Sequence, residues 1–378
     1  MRDDNSLPTV GMIGGGQLAR MTHQAILSLG RSLRVLAVSP DDSAAVATPD
    51  VRIGRHDDAV ALDEFAAECD VVTFDHEHVP SERIEALAAA GHVVRPTASA
   101  LLHAQDKSVM RRRLSELNLP VPRWEVVTSV EDLDRFGLPC VVKTAVGGYD
   151  GRGVFMVERA DEIAAMLADG VVLVAEERVD MVRELAIQIA RSPRGETRAY
   201  PVVETVQENG ICTEVIAPAT GLHPDRAAQA QAMAEQIARD LDVTGVLAVE
   251  LFDTGDALLI NELAMRPHNS GHWTIEGAVT SQFEQHARAV LDYPLGDVSS
   301  TAPATVMANV LGGEAGGPAF DERLRQLFTV DPQAKVHLYG KSVRPGRKIG
   351  HVTVTGDDVP LLRQRAREAA SILRHGHP

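Results

Sequence analysis

Residues 246–273 have the sequence VLAVELFDTGDALLINELAMRPHNSGHW, and this stretch decides how the rest of the chain is interpreted. Two apolar runs flank the short polar cluster DTGD, a pattern typical of a β-hairpin. The first run carries Glu250, and the second carries Glu262 with Asn261 beside it. A carboxylate in apolar surroundings is costly unless a cation accompanies it. Because carboxylate and amide oxygens suit Mg²⁺, we predict that these three side chains bind the metal.

The register of this hairpin decides whether the two carboxylates can meet. A loop that pairs Glu250 with Ile260 leaves Glu262 on the same face, one diagonal step or about 7–8 Å away. A two-residue loop pairs Glu250 with Leu259 and turns Glu262 to the opposite face. The metal prediction therefore requires an odd-length loop or a bulge. The alternative is an amphipathic hairpin with two solvated glutamates. The next residues, however, include more polar and aromatic side chains able to bind ligands than an ordinary loop has: Arg266, His268, Asn269, His272 and Trp273.

The overall composition limits the class of protein. With 378 residues, 44% of them hydrophobic, the chain is expected to be globular with two or three domains. Its net charge of −16 argues against nucleic-acid binding, which needs a basic face. No apolar run approaches the roughly 18 residues that span a membrane, and no signal-peptide core is visible. Three scattered cysteines favour a reducing compartment, so we expect a cytoplasmic protein.

The N-terminal sequence predicts a parallel α/β domain. Strands at 9–13 and 33–38 flank a helix that begins after GGGQLA, a turn of the form G-x-G-x-x-A. Such a turn can bind a dinucleotide, but the acidic residue expected at the end of the second strand is missing. A structural tight turn or another ligand is therefore favoured over NAD. A third strand runs into DHEH at 75–78, at the edge where open α/β sheets bind ligands.

A glycine-rich loop follows a strand that ends in Lys143. Its glycines let backbone N–H groups approach a phosphate closely, and the lysine adds a positive charge. The alternative is a flexible hairpin, since no Walker A ending is present. A later strand at 171–175 runs into EERV, where free backbone groups can bind an adenine edge.

Two basic clusters stand out in this acidic chain. Residues 97–119 predict one long helix that carries Lys107 and the run 111–113, which is typical of a solvated face. Near the C-terminus, four cations surround a Pro-Gly turn. They either face solvent or clamp a substrate phosphate.

Together these motifs resemble the ATP-grasp superfamily: Lys143 with GGYDGRG, Glu184, and VELF followed by NELAMRPHNSGHW. GGGQLARM, TFDHEHV, QDKS, SQFEQH and RPGRKIGH extend the resemblance over nearly the whole chain, to the family of N5-carboxyaminoimidazole ribonucleotide synthetases. The resemblance implies an ATP-grasp fold, α/β and α+β in class, with the nucleotide between two lobes. We expect an N-terminal Rossmann-like domain at 1–96, the ATP-grasp domain at 97–298 and a small β-rich domain at 299–378.

The resemblance also implies residue roles. ATP would be bound by Lys107, Lys143, Gly147, Gly148, Tyr149, Asp150, Gly151, Gly153, Glu176, Glu177, Arg178, Val179, Glu184, Gln207, Asn261 and Glu262. Mg²⁺, in two copies and replaceable by Mn²⁺, would bind Glu250, Asn261 and Glu262. The ribonucleotide would be bound by Glu77, Tyr149, Arg152, Arg266, His268, Lys341, Arg344, Arg347 and Lys348. The chemistry would fall to Asp150, Arg152, Arg266 and His268. His103 and Gln207 depart from the family pattern, which often has Arg and His there.

The reaction that the resemblance implies begins with phosphoryl transfer from ATP to bicarbonate. The resulting carboxyphosphate carboxylates the amine of 5-aminoimidazole ribonucleotide in purine biosynthesis, and the enzyme is expected to be a homodimer. One alternative is another ATP-grasp carboxylate-amine ligase, or a formate-dependent transformylase, which would differ at the basic C-terminal turn. A second is a non-enzymatic nucleotide-binding module, which would have little reason to keep both metal carboxylates and the glycine loop.

Overall fold

A computed structural model describes residues 7–148, 151, 153–313 and 317–377. Its N-terminal part alternates strands and helices: β1 (Val10–Ile13), α1 (Gln17–Leu27), β2 (Leu33–Ala37), β3 (Asp50–Ile53), α2 (Ala59–Ala67), β4 (Val71–Phe74), α3 (Ser81–Ala89) and α4 (Ala98–Gln105). The strands pair in parallel in the order β3-β2-β1-β4. The predicted Rossmann-like architecture is confirmed.

The glycine turn before α1 has a ligand from within the chain. Asp75 follows β4, and its carboxylate accepts hydrogen bonds from the N–H groups of Gly16 and Ala19, the latter at 3.1 Å. Burial raises the pKa of Asp75, although both amides and the nearby Arg266 oppose the shift. The carboxylate lies at the helix N-terminus, where the pyrophosphate of a dinucleotide would bind. Asp75 thus gives these N–H groups a partner from within the chain, which is consistent with a structural turn. The preference for a structural turn or another ligand over NAD stays a prediction.

The single long helix predicted at 97–119 is wrong. The chain forms α4 and then α5 (Lys107–Glu116), because Asp106 between them has extended backbone angles, φ −124° and ψ 111°. Its side chain caps α5 by accepting the Ser108 N–H at 2.8 Å. The break turns Lys107 toward the glycine loop, where its N–H donates to the Ala145 carbonyl at 2.8 Å.

A small lobe follows, with its own antiparallel sheet in the order β5-β8-β6-β7 around an apolar core. Its elements are β5 (Trp124–Val127), α6 (Val130–Phe136), β6 (Cys140–Thr144), β7 (Val154–Val157), a 3-10 turn (Ala160–Ile163), α7 (Ala164–Ala168) and β8 (Leu173–Glu177).

A large sheet forms the rest of the molecule. Its first elements are β9 (Arg183–Arg191), β10 (Thr197–Ala199), β11 (Val203–Glu208), β12 (Ile211–Ala217), α8 (Pro224–Asp240), β13 (Gly245–Asp253), β14 (Leu258–Ala264), a 3-10 turn (Asn269–Gly271), α9 (Thr274–Gly277) and α10 (Gln282–Val290). The C-terminal elements are β15 (Ala304–Leu311), α11 (Phe320–Val330), β16 (Lys335–Leu338), β17 (Lys348–Gly356) and α12 (Val359–His375).

The C-terminal strands do not form a sheet of their own. The order of the large sheet is β14-β13-β9-β11-β12-β15-β17-β16, with β10 paired to β9. β15 pairs with β12 on one side and with β17 on the other, and α11 and α12 cover this end of the sheet. The β-rich C-terminal domain is thus continuous with the large sheet. No helix in the described ranges has both the length and the apolar character needed to cross a membrane.

The hairpin of β13 and β14 contains the required bulge. Beyond the turn at 254–257, Leu251 pairs with Ile260, but Glu250 pairs with Glu262 and leaves Asn261 as the extra residue. Residues directly opposite each other project from the same face of a sheet. Both carboxylates therefore lie on one face, as the metal prediction demands.

We predict that Gly16→Ala lowers the free energy of unfolding by about 1–3 kcal/mol, the usual cost of overpacking a filled site. An alanine β-carbon at Gly16 would clash with the Asp75 carboxylate. Urea denaturation measures the effect. Gly356→Ala is the control, since the nearest atom to its added carbon is a Leu362 methyl carbon at 3.2 Å, a looser contact than the one at Gly16. If both variants are equally stable, the Asp75 contact does not fix the turn.

Candidate active site

The two lobes meet at Lys143, which is buried at the end of β6 in the small lobe. Its Nζ lies 2.8 Å from Glu176 Oε2 on β8 and 2.9 Å from Asn261 Oδ1 on β14 of the large sheet. A cation from one lobe therefore contacts the bulge residue of the other. This contact places the predicted phosphate lysine beside the predicted metal ligands.

Glu176 is buried between two cations. Its second oxygen, Oε1, accepts a hydrogen bond from Arg111 Nε at 2.7 Å. Burial alone would raise the pKa of Glu176, but Lys143 and Arg111 together lower it to about 2. Because both carboxylate oxygens already have cationic partners, we expect this residue to serve a nucleotide through its backbone and through the placement of Lys143.

Three glutamates share one face of the large sheet. Glu250 and Glu262 are opposite each other, and Glu184 on β9 is opposite Phe252, two residues from Glu250. Burial raises the pKa of Glu250, and the negative charges of Glu262 and Glu184 raise it further against the opposing effect of Lys348 and Lys143. Burial also raises the pKa of Glu184, while a hydrogen bond from Gln207 lowers it. The three carboxylates are therefore close enough to repel one another.

The donor set fits a magnesium–nucleotide complex better than a free metal. Lys107 Nζ lies 2.9 Å from Glu262 Oε1, and Asn261 Nδ2 donates to Glu250 Oε2 at 3.4 Å. Within the described ranges, no three His, Cys, Asp or Glu side chains converge to hold a metal by themselves. Mg²⁺ ordinarily takes one or two carboxylates and completes its shell with phosphate oxygens and water. The facing glutamates match that requirement.

An ion pair and a histidine follow β14, beyond the two carboxylates of the hairpin. We call the space between the small lobe and this part of the large sheet the cleft. Arg266 Nε lies 2.8 Å from Glu77 Oε1, which joins the residues after β14 to those after β4. His268 Nε2 is 3.6 Å from Glu250 Oε1, and its Nδ1 is 2.8 Å from Ser270 Oγ. The structure thus brings the predicted His268 next to Glu250, and it pairs the predicted Arg266 with Glu77.

The basic C-terminal residues divide into two pairs. The Lys341 ammonium donates to the Gln17 side chain at the start of α1, and Lys348 is near enough to Glu250 to oppose the rise in its pKa. Arg344 is exposed. Arg347 Nη1 donates to Ser342 Oγ at 2.7 Å within the same loop. The structure therefore brings the two lysines to the cleft. The two arginines lie in the loop at 339–347 between β16 and β17, which we call the rim loop.

The remaining predicted residues lie around the nucleotide end. Gly147, Gly151 and Gly153 have positive φ values, as expected of a loop that only glycine forms readily. Glu177 accepts the Arg123 N–H at 2.8 Å and so belongs to the connection between β5 and β8. Beyond β8, Arg178 is exposed and Val179 is partly buried. Gly148, in the glycine loop, is also partly buried. Tyr149, Asp150 and Arg152 lie outside the described residues.

Three contacts were not predicted from the sequence: those of Arg111, Asp75 and Gln17. Met110 and Leu114 form the apolar stripe of α5, and this spacing places 111 on the buried face, a signal that was available. Asp75 directly follows an apolar strand, which also hints at burial. Nothing in the local sequence connects Gln17 with Lys341, 324 positions away.

Family models match three successive parts of the chain. They describe the ribonucleotide synthetase preATP-grasp domain at 7–105, the ATP-grasp domain at 112–283 and the phosphoribosylaminoimidazole carboxylase C-terminal domain at 305–365. The N5-carboxyaminoimidazole ribonucleotide synthase of Mycobacterium tuberculosis is 57% identical over 380 residues, which cover 98% of this chain and 88% of that protein.

Solved structures agree with this match. The N5-carboxyaminoimidazole ribonucleotide synthetase of Thermus thermophilus superposes with a TM-score of 0.86 at 37% identity, covering 98% of this chain and 99% of that one. The Aspergillus clavatus synthase, solved with ADP and 5-aminoimidazole ribonucleotide, has a TM-score of 0.86 at 31% identity, covering 97% and 98%. Because three family models match in order along the chain and the 57% identity extends over nearly its whole length, this chain belongs to the N5-carboxyaminoimidazole ribonucleotide synthase family of ATP-dependent ligases.

Proposed function

We propose that this chain uses ATP and bicarbonate to convert 5-aminoimidazole ribonucleotide to N5-carboxyaminoimidazole ribonucleotide in purine biosynthesis. The single observation that carries the proposal is the pairing of Glu250 with Glu262 on one face, next to Lys143 and to the Glu77–Arg266 pair. One cleft thereby offers a metal–phosphate end and a polar acceptor end.

At the nucleotide end, Lys107, Lys143 and the glycine loop hold the phosphates of ATP. Glu250, Asn261 and Glu262 hold Mg²⁺, in two copies and with Mn²⁺ as a substitute. When bound, the metal neutralises charge on the transferring phosphoryl group. The positive charges of Lys107 and Lys143 then serve the phosphates as well as the carboxylates they contact in the structure. Catalysis is mainly a matter of positioning and charge stabilisation.

At the acceptor end, Arg266 and His268 hold bicarbonate, or the amine of the ribonucleotide, in line for reaction. A bicarbonate oxygen bonds to the γ-phosphorus as ADP leaves, which forms carboxyphosphate. The exocyclic amine of the ribonucleotide then attacks the carboxyl carbon. A C–N bond forms as phosphate leaves, and the amine loses a proton. The cations Lys341, Arg344, Arg347 and Lys348 bind the ribonucleotide. By the family resemblance, Tyr149 and Arg152 also bind it, and Asp150 and Arg152 take part in the chemistry.

Three further assignments belong to the proposal. The chain is a cytoplasmic homodimer, supported by the family resemblance. The three scattered cysteines in the sequence favour a reducing compartment. Its domains divide at residues 96 and 298. Residue 96 follows the parallel sheet, and residue 298 precedes β15 of the large sheet. A different ATP-grasp ligase acting on a purine precursor is the runner-up, and the Lys341 contact with Gln17 favours the first proposal because it joins the basic turn to the cleft.

We expect Glu250→Gln and Glu262→Gln each to lower ATP turnover at least about a hundredfold, since removing one group that stabilises the transition state costs about 10²–10³. The Glu250 variant should be at least as stable as the wild type near neutral pH, because a raised carboxyl pKa means that its charged form disfavours folding. ADP release and thermal unfolding are the measurements. Asp256→Asn, an exposed change in the same hairpin, is the control. Normal ADP release from either folded glutamine variant rejects the metal assignment.

Arg347→Ala should raise KM for the ribonucleotide at least about tenfold, the scale of a lost charge-assisted hydrogen bond to phosphate. KM for ATP should change little, because the Arg347 side chain contacts Ser342 within its own loop, which is proposed to bind the ribonucleotide. Arg344→Ala tests the second arginine of the loop in the same way. Arg325→Ala on α11 is the control, since that side chain is exposed and pairs with Asp321 on the same helix. Equal increases in both KM values would show that the loop is not a substrate clamp.

Bicarbonate labelled with ¹⁸O should pass one label to the phosphate released, because a bicarbonate oxygen becomes the bridging oxygen of carboxyphosphate. Mass spectrometry of the phosphate measures the transfer. Leaving out each substrate in turn gives the control: ADP release should fall most when bicarbonate or ATP is absent. Unlabelled phosphate during product formation would exclude carboxyphosphate.

A further inference from the structure

Arg111 is buried among the elements that build the cleft, although it belongs to a basic run expected to be solvated. Its side chain has 0% exposure, whereas the next residue, Arg112, is exposed. Besides Glu176, the guanidinium donates from Nη1 to the Ile260 carbonyl and from Nη2 to the Asn261 carbonyl, each at 2.8 Å. One side chain thus joins α5 to the small lobe and to the bulge of the metal hairpin.

These contacts form a closed ring that begins and ends at Asn261. The Asn261 carbonyl accepts from Arg111, Arg111 donates to Glu176, Glu176 pairs with Lys143, and Lys143 donates to the Asn261 side-chain oxygen. Arg111 is the member of this ring that lies on neither sheet. It therefore fixes the bulge and the phosphate lysine relative to each other.

The geometry of arginine suits this place. A bulge leaves its extra residue outside the regular strand pairing, and its backbone groups need other partners. The planar guanidinium presents several donors in a rigid fork, so it can reach two carbonyls and a carboxylate at once. A lysine carries the same charge but is a point donor on a flexible stem. It can keep the charge beside Glu176 but cannot reproduce the fork.

We propose that Arg111 is a positioning residue for the metal–nucleotide complex: it holds the Asn261 bulge in the form that keeps Glu250 opposite Glu262. This inference rests on the metal assignment proposed above. It assigns to Arg111 an effect on metal binding that a residue needed only for the core would not have.

The test compares Arg111→Lys with Arg112→Lys, the same change one residue away on the exposed face. Binding of Mn²⁺ to the ADP complex, without turnover, is measured from the electron paramagnetic resonance signal of the free ion. We expect Arg111→Lys to weaken this binding at least about tenfold, the range seen when contacts that support metal ligands are lost. KM for the ribonucleotide should change less than about threefold, and Arg112→Lys should match the wild type.

The possible results separate the two proposals. Unaltered Mn²⁺ affinity in folded Arg111→Lys overturns the positioning role and leaves the metal assignment intact. A chain that does not fold overturns it as well, because Arg111 is then a core residue. Wild-type protein that binds no Mn²⁺ with ADP rejects the metal assignment itself.

Discussion

One extra residue in β14 is the constraint on which the site depends. Without the bulge at Asn261, the four-residue turn would place that asparagine opposite Glu250 and send Glu262 to the other face. The side-chain amide of the same residue contacts Lys143, and its carbonyl contacts Arg111. A local irregularity in one hairpin thus determines both the spacing of the carboxylates and the approach of the small lobe.

The acceptor end depends on a second set of interactions between distant parts of the chain. Asp75 anchors the turn before α1, and Glu77, two residues later, pairs with Arg266 from the large sheet. Gln282 fixes the segment that follows Arg266, because its side chain accepts the His268 N–H at 2.9 Å and donates to the His268 carbonyl at 2.8 Å. The parallel sheet therefore contributes to the cleft through the loop at its carboxyl edge, as open α/β sheets commonly do.

The fold class, the domain order and the hairpin were predictable, because apolar periodicity and the glycine motifs carry that information along the chain. The same is true of Lys143 with Glu250 and Glu262. The break at Asp106 was missed because an Asp-Lys-Ser segment does not stop a helical pattern, and the contact of Lys107 with the glycine loop is tertiary. The spacing of apolar residues in α5 indicates that Arg111 is buried, but its partner Glu176 is 65 positions away in sequence, and local pattern cannot identify it. The roles of the individual site residues in binding remain predictions.

The unbroken pairing of β12 with β15 also determines how the chain can be divided. Three family models match it in succession, which suggests three modules. Yet separate fragments made by a cut near residue 299 would leave β12 and β15 without each other as partners. Two long apolar strand edges would then be exposed, since all but the last residue of β15 is buried. Unpaired edges of this kind promote aggregation. The boundary before β15 therefore separates the matches of two family models, and it is not a place where the polypeptide can be divided into separately soluble fragments.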